Sequence, residues 1–396
     1  MKYFVFLLSL ILIFYGCGQR DAHTISISVV GCDTLNIEKY LDNKMCDIID
    51  LAYDVRIVKL STTDKSLVGN IKSIVFGNEY IYVNDNYNNG NVIIFNNDGS
   101  FVRRLEKGNG PGEISYAEDI FLNDVDSCLC VYQANKLIKF SACGNFLKDY
   151  VLPYYLTDIM PTKDGGYLGV VEEVQNSLKQ YLFVDIDSSF QVVNYHIVDN
   201  CFKPSLLIDH YIRKSFCDDS VLIVTRPYDN RIFSYSVIDK SVQVKYFLEL
   251  GEKTMDLSTL TSPLDYETLN RIKDDIGKCN YMGTFYEIDN YIYLRLQKGN
   301  MYCIDLYYNK TTKRIRSGYA HQIGIPNSGS VQGVKDGFFV KVLLPENFVG
   351  DSIFFNSIKK NNILDGNDLK LIKETKKDDN PLLCFFKLKD IPNDVK

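Results

Sequence analysis

From about residue 71 onward, short apolar runs alternate with clusters of asparagine, aspartate and glycine. Tyrosine, phenylalanine, isoleucine and valine supply most of the apolar positions, and these residue types favour β-strands. The clusters between the runs are typical of turns, because glycine, asparagine and aspartate tolerate the backbone conformations that tight turns require. The pattern therefore predicts an all-β fold.

The predicted strands recur as a repeating unit. A central strand such as EYIYVND is followed by a turn and an outer pair such as NVIIFNNDGSFVRRL, and the first unit covers residues 71–105. The second unit places Gly144 in its hairpin turn where the first has Gly99. Six central strands are marked by Tyr80, Cys128, Tyr167, Val221, Tyr291 and Phe338. Most of their spacings are close to the roughly 40–50 residues of a four-stranded blade, so the sequence predicts a six-bladed β-propeller.

A propeller must close its ring, and the segment VRIVKLS at residues 55–61 is the candidate for closure. It alternates apolar and polar residues just before the first repeat, so we expect it to complete the blade that the C-terminal repeat begins. The longest interval between central strands contains a predicted helix, with Ser262 as N-cap and Gly277 just beyond its end. Its apolar face would consist of Leu269, Ile272 and Ile276. A second insertion is expected at about residues 346–377.

The N-terminal segment has the layout of an export signal. Lys2 is followed by an apolar run over residues 3–15 and then by Gly16 and Cys17. The run is shorter than the roughly 20 apolar residues that a membrane-spanning helix needs. A small residue directly before a cysteine is typical of a lipoprotein signal, so we predict that Cys17 carries the lipid. The predicted boundaries are a signal peptide at 1–16, a tether at 17–54, the propeller at 55–391 and a tail at 392–396, with an added strand possible at TISISVV.

The charge and the cysteine content of the chain limit which partners and which disulfides are expected. The chain has a net charge of −6, which disfavours nucleic-acid binding. Its 11 cysteines include no CxxC pair, and Cys128 and Cys130 would lie on one face of a strand, where they are poorly aimed at each other. We therefore expect most cysteines to be small buried hydrophobic residues rather than disulfides.

The sequence GNGPGE, which contains Gly108, Gly110, Pro111, Gly112 and Glu113, allows two interpretations. Successive backbone N–H groups in such a loop can hold an anion. The spacing matches neither a Walker loop nor a dinucleotide fingerprint. Because the loop lies between the first and second repeats, we predict a structural crossover between blades.

Motifs for catalysis or metal binding are absent from the sequence. The stretch NDNYNNGN from Asn84 resembles a calcium loop but lacks the acid at its last position, so an asparagine-rich turn is predicted. The four histidines, His23, His196, His210 and His321, are scattered, and no GxSxG elbow occurs. The absence of tryptophan disfavours quinone-dependent propeller dehydrogenases and sialidases. No cofactor is predicted, although carboxylate pairs contributed by distant blades remain open.

Tyrosine is abundant, with 28 residues, and it is densest in DYVLPYYL. Most tyrosines are expected to pack between blades. Tyr154 and Tyr155 are the candidates for a surface that binds a sugar or a peptide.

Several segments together resemble a known family. They are VRIVKLSTTDKSLVGNI, YIYVND, IIFNNDGSFVRRLEKGNGPGE and the terminal DDNPLLCFFKLKD. The chain resembles the six-bladed β-propeller lipoproteins of Gram-negative, Bacteroides-type anaerobes, which share an NHL-like propeller. The resemblance implies an exported, lipid-anchored protein of the cell envelope, with the outer membrane as the expected site.

Two classes of function stay open at this point. The first is a non-catalytic binding or scaffold lipoprotein that contacts the membrane through Cys17 and holds a glycan, a peptide or a partner protein. The second is a hydrolase or lyase in the central channel, with or without a divalent metal. We favour binding, because a rigid disc that bears loops needs no catalytic motif.

Overall fold

The fold is seen in a computed structural model that describes residues 23–26, 31–42, 52–86, 91–123, 125–171, 182–197, 215–216, 221–256, 266–319 and 328–389. The strands form six separate sheets. Each sheet is one blade of a six-bladed β-propeller, as the repeat predicts.

The strands follow the chain from blade to blade. Three precede the first blade: β1 (His23–Ser26), β2 (Asp33–Asn36) and β3 (Ala52–Lys59). Blade 1 contains β4 (Ile71–Phe76), β5 (Tyr80–Asp85), β6 (Asn91–Asn96) and β7 (Phe101–Arg104). Blade 2 contains β8 (Asp119–Asn123), β9 (Cys128–Gln133), β10 (Lys136–Phe140) and β11 (Phe146–Val151). Blade 3 contains β12 (Asp158–Pro161), β13 (Tyr167–Val170), β14 (Phe183–Ile186) and β15 (Val192–Ile197).

The remaining blades are built in the same way. Blade 4 contains β16 (Ser215–Phe216), β17 (Val221–Val224), β18 (Arg231–Ser236) and β19 (Ser241–Glu249). Blade 5 contains β20 (Cys279–Ile288), β21 (Tyr291–Lys298), β22 (Tyr302–Asn309) and β23 (Ile315–Tyr319). Blade 6 contains β24 (Ser328–Lys335), β25 (Phe338–Leu343) and β26 (Leu382–Leu388), and β3 is its fourth strand.

The hydrophobic core is divided into six clusters, one between each pair of neighbouring blades. The second strand of a blade is covered on both faces, which explains its continuous apolar run. In β5, for example, Tyr82 packs toward blade 2, whereas Ile81 and Val83 pack toward blade 6. The first strands of neighbouring blades contact each other, so they surround the central axis.

The N-terminal strand closes the ring as predicted. Strand β3 pairs antiparallel with β26, with Val55 opposite Phe386 and Ile57 opposite Cys384. The expected strand was residues 55–61, and the observed one begins three residues earlier and ends at Lys59. The first and last parts of the chain therefore share blade 6.

Part of the predicted tether at 17–54 belongs to the propeller instead. Strand β1 pairs parallel with β15 of blade 3, and β2 pairs parallel with β19 of blade 4. A 3₁₀ turn at Glu38–Tyr40 then contacts β23 of blade 5. Buried Leu35, Ile37 and Leu41 hold this stretch against blades 4 and 5. We call residues 31–42 the belt, because they cross the outer rim from blade 4 to blade 5.

Both expected insertions are helical. Helix α1 (Tyr266–Asp274) lies in the longest interval, and its predicted N-cap Ser262 is outside the described residues. The helix ends before Ile276, which lies exposed in the following turn, so the predicted apolar face does not extend to Ile276. The second insertion contains α2 (Pro345–Phe348), α3 (Ser352–Asn361) and α4 (Gly366–Glu374).

The second insertion covers the edge of the closing strand. Asp368 of α4 accepts a hydrogen bond from the backbone N–H of Ile57 through Oδ1, at 3.1 Å. Buried Asn380 donates to the carbonyls of Ser61 and Ser66, and it accepts from the N–H of Val68. An unpaired strand edge invites association with other chains. Here helix α4 and the segment before β26 occupy that edge.

Two further sequence predictions can be examined in the described part of the chain. Its seven cysteines are free, and Cys128 and Cys130 lie buried on β9 with one residue between them. Burial raises the pKa of both Cys128 and Cys279 to about 11, so these thiols are protonated at neutral pH. Among the helices of the described ranges, none has the length and hydropathy of a membrane span.

Candidate ligand-binding face

The two faces of the ring differ in their connections. One face carries the links between the second and third strands and the crossovers between blades, which include residues 105–118, 266–278 and 344–381. The opposite face carries short turns such as residues 77–79, 97–100 and 289–290. Loops on a rigid scaffold are the common place for binding residues. We call the first of these the loop-rich face.

The structure separates the two tyrosines that the sequence paired. Tyr154 is half-buried against blade 3, and its hydroxyl donates to the carbonyl of Phe190 at 3.1 Å. Burial raises the pKa of Tyr154 well above its usual value. Tyr155 is 60% exposed on the crossover between blades 2 and 3. Of the two, only Tyr155 presents its ring to solvent.

A second exposed tyrosine lies close to Tyr155. Tyr116, which is 38% exposed, is on the crossover between blades 1 and 2, and its hydroxyl is 3.1 Å from Glu118 Oε1. Partial burial, and then the Glu118 carboxylate, raise the pKa of Tyr116, and the phenol of Tyr155 is near enough to contribute. The ammonium of Lys72, on the innermost strand of blade 1, donates to the carbonyl of Glu118. We call Tyr116, Glu118, Tyr155 and Lys72 the mouth cluster.

The backbone fixes the mouth cluster in place. The N–H of Glu118 donates to the carbonyl of Tyr132 at 2.9 Å, and the N–H of Ser115 donates to Gln133 Oε1 at 3.2 Å. Both contacts tie the crossover to the end of β9 on the loop-rich face. Tyr116 and Glu118 were not singled out from the sequence. The sequence feature that could have indicated them is their position in the crossover SYAED, directly after the glycine-rich loop and at the start of β8.

The glycine-rich loop closes on itself. The N–H of Gly110 donates to Glu113 Oε2 at 2.8 Å, and the N–H of Glu113 donates back to the carbonyl of Gly110. Gly112 has φ +76°, and a Cβ there would lie 2.7 Å from Phe146 on blade 2. Pro111 lies at the tip between them. The carboxylate of Glu113 thus accepts the N–H of Gly110, which a bound anion would need. The N–H of Gly108 donates to the carbonyl of Ile114, and this hydrogen bond closes the loop between blades 1 and 2.

The other polar motifs serve the backbone where the structure describes them. Asp85 accepts from the N–H groups of Gly69 and Asn70, and the asparagine-rich residues 87–90 lie outside the described ranges. His196 is buried, with Nε2 at 3.0 Å from Asp185 Oδ1, whereas His210 and His321 are also outside those ranges. Within the described residues, no three His, Cys, Asp or Glu side chains converge as a metal site would require.

The chain is similar to solved structures to different degrees. A protein of Bacteroides fragilis NCTC 9343 that is named as an exported protein is 21% identical, with a TM-score of 0.69 over 93% of this chain and 100% of that one. A Bacteroides caccae protein of unknown function is 10% identical over 68% of this chain and 94% of its own, with a TM-score of 0.40. A streptogramin B lyase is 13% identical over 73% of this chain and 80% of its own, with a TM-score of 0.39.

Comparison at the level of sequence families gives the assignment. No curated protein matches the chain. The profile of a domain of unknown function, DUF4934, matches residues 32–387, which begin in the belt and end in β26. The match takes in all six blades together with the closing strand. The chain therefore belongs to the DUF4934 family.

Proposed function

We propose that this chain is an exported binding protein of the cell envelope, and that the loop-rich face of its propeller holds a glycan at the mouth cluster. The observation that carries the proposal is the pair of exposed tyrosines beside a carboxylate, Tyr116 and Tyr155 with Glu118, on crossovers that lead into the first strands of blades 2 and 3. Tyrosine combines an apolar ring with a polar hydroxyl, which suits a ligand that has both apolar and hydroxyl-bearing faces.

The chemistry of the cluster favours a neutral sugar. The Glu118 carboxylate can accept hydrogen bonds from sugar hydroxyls, and the Lys72 ammonium beside it balances its charge, so the cluster has no net charge to attract an ionic sugar. The exposed rings of Tyr116 and Tyr155 can cover an apolar sugar face. Both crossovers are fixed by backbone hydrogen bonds, so little ordering is needed when a ligand binds.

Binding can be tested with a panel of neutral and acidic oligosaccharides and of short peptides, titrated by calorimetry. We expect a neutral oligosaccharide to bind, and the double variant Tyr116→Ala/Tyr155→Ala to weaken it about tenfold or more, because buried aromatic anchors commonly contribute above 1 kcal/mol each. Tyr53→Ala is the matched control, since Tyr53 is 46% exposed on the outer strand of blade 6. Equal affinity of the double variant and the wild type would contradict the proposal.

Anchoring through Cys17 is part of the same proposal and rests on the lipoprotein signal in the sequence. His23 of β1 is six residues after Cys17, and an extended chain spans at most about 3.6 Å per residue, or about 20 Å. A lipid on Cys17 would therefore keep the rim of blade 3 close to the bilayer. The multiple acyl chains of such a lipoprotein give stable attachment, whereas one chain is marginal.

The anchor has a direct test. Cells that express the wild type and Cys17→Ala are fed a fatty-acid probe, and the labelled protein is measured. We expect label on the wild type and none on Cys17→Ala, with Cys32→Ala as the control that keeps its label. Label that persists in Cys17→Ala would show that Cys17 is not the attachment site.

A further inference from the structure

A groove separates the belt from blade 5 at the outer rim. Its cavity volume is about 440 Å³. One wall is β2 with Lys39 and Tyr40, and the other is Tyr308, Lys313 and Ile315 of blade 5. We call this cavity the belt groove. It is distant in the fold from the crossovers that carry the mouth cluster, because blades 1 to 3 hold those crossovers.

One wall of the groove includes a turn residue whose equivalents in the other blades are used differently. In blades 1 to 5 the third and fourth strands are joined by a turn, and one residue of that turn has positive φ. In blades 1 and 2 this residue is Gly99 or Gly144, where a Cβ would lie 2.1 Å from the carbonyl oxygen of Lys59 or 2.7 Å from Ile94. Glycine therefore lets these two turns make close contact.

The other turns carry a side chain at that position, and each is used differently. Phe190 of blade 3 fills the space and packs on Tyr150 of blade 2. Lys240 of blade 4 forms an ion pair with Asp164 of blade 3. Lys313 of blade 5 has φ +58° and faces the belt groove, and no carboxylate of the described residues pairs with it. In blade 5, therefore, this position contributes a lysine to the wall of the belt groove.

Strand β2 offers an open edge along the groove. It is the last strand of its sheet, so within the described part of the chain no strand pairs with its outer side. The N–H of Ile37 donates to the carbonyl of Glu249 on β19. Because alternate residues of a strand direct their backbone groups to opposite sides, those of Thr34 and Asn36 point away from β19. Such an edge can accept an added strand.

The charge of the groove favours an acidic occupant. The ammonium of Lys39 lies 4.9 Å from the centre of the Tyr40 ring, and that of Lys313 lies 5.9 Å from the centre of the Tyr308 ring. One cation thus stands on each wall. Asp33 is the acidic residue of the lining, so the lysines outnumber it.

We propose that the belt groove binds an extended acidic peptide segment that pairs with the outer edge of β2. Its backbone would bond to Thr34 and Asn36, and its carboxylates would lie between Lys39 and Lys313. The inference does not depend on the mouth cluster or on glycan binding.

The test uses the purified full chain and two fluorescein-labelled peptides, TEVETEV and TKVKTKV, measured by fluorescence anisotropy. We expect saturable binding of TEVETEV only. Lys39→Glu/Lys313→Glu should weaken it about tenfold or more, because repulsion replaces attraction on both walls. Thr34→Pro should abolish it, since proline removes an N–H that points away from β19 and that the sheet does not use.

Matched variants separate these effects from misfolding. Thr34→Val keeps the N–H, and Lys377→Glu changes an exposed lysine in the turn after α4, so both should bind TEVETEV as the wild type does. Equal binding of both peptides, no binding of TEVETEV, or full binding by Thr34→Pro would each overturn the proposal. A second copy as the occupant would appear as dimerisation at high concentration that Thr34→Pro abolishes, and it would also overturn the peptide assignment.

Discussion

A fully buried ion pair joins blades 5 and 6. Lys341 Nζ lies 3.1 Å from Asp305 Oδ2, and both side chains are 0% exposed. The other oxygen of Asp305, Oδ1, accepts from the hydroxyl of Tyr293 at 2.6 Å, and Arg295 Nε lies 3.7 Å from the same Oδ1. Burial raises the pKa of Tyr293 well above its usual value, so its hydroxyl remains a donor. One carboxylate therefore compensates two cations between these blades.

This arrangement predicts that substitutions of Asp305 and Lys341 lower the free energy of unfolding by different amounts. Asp305→Asn leaves Lys341 and Arg295 without their counterion, and breaking a buried pair in this way costs about 3–5 kcal/mol. Lys341→Met should cost clearly less, because Arg295 still faces Asp305. The double variant should recover part of the loss of Asp305→Asn. Urea unfolding measures these free energies.

The control for this series is Lys370→Met, which removes an exposed pair with Glu374 and should cost under about 0.5 kcal/mol. A larger loss for Lys341→Met than for Asp305→Asn would contradict the account.

Single residues were the hardest to assign from the sequence. Adjacent Tyr154 and Tyr155 look alike in DYVLPYYL, yet the hydroxyl of Tyr154 donates to Phe190 whereas Tyr155 is exposed. Lys341 lies within the apolar strand GFFVKVL, and a charge at that place was a signal of a buried pair. Its partner Asp305 is distant in sequence and on another blade, so the sequence could not supply it.

The belt is held to the ring by its pairing with β19 and its buried side chains, and also by polar contacts at its end. Asp42 bonds to both Lys253 and Lys298, and hydrogen bonds from these two lysines lower the pKa of Asp42 to about 2. Glu38 Oε1 accepts from the N–H of Glu252 at 3.0 Å. A depressed carboxyl pKa stabilises the folded arrangement above pH about 4, and this contribution is lost as the pH falls toward 2.

The belt should therefore loosen in acid. We expect the hydrogen-exchange protection of residues 31–42 to fall between pH 4 and 2, relative to that of β21. In Asp42→Asn this protection should already be reduced at pH 7, by an amount that corresponds to about 1 kcal/mol or less, because Asp42 is largely exposed. Asp64→Asn, at an exposed site before the first blade, should behave as the wild type. Unchanged protection of the belt in Asp42→Asn would show that the two lysines do not hold it.

Strands with a long alternation of apolar and polar residues were predictable from the sequence, and very short strands were not. The closing strand was found because it alternates over seven residues, and the repeat fixed the place of all six blades. The four-residue strand β2 carries only one buried side chain, Leu35, so its pattern is too short to recognise. It also pairs in parallel with a strand some two hundred residues away, which no local signal indicates.

At the scale of the whole molecule, the ring gives the protein two unlike faces and a rim. The rim holds the belt, and the loop-rich face holds the helical insertions and the mouth cluster. The number of blades follows from the period of the repeat. Which crossovers come together does not, because two crossovers and one strand of blade 1 supply the mouth cluster, and only the folded ring brings them together.

Hydrogen exchange of the full chain, with and without the tightest-binding oligosaccharide of the panel, tests most directly whether the loop-rich face is the binding face. Bound sugar should slow exchange in residues 105–118 and 152–157, the crossovers that carry Tyr116 and Tyr155. It should leave residues 97–100 and 141–145, turns of the opposite face, unchanged. Protection confined to those turns, or the absence of protection anywhere in the chain, would contradict the account.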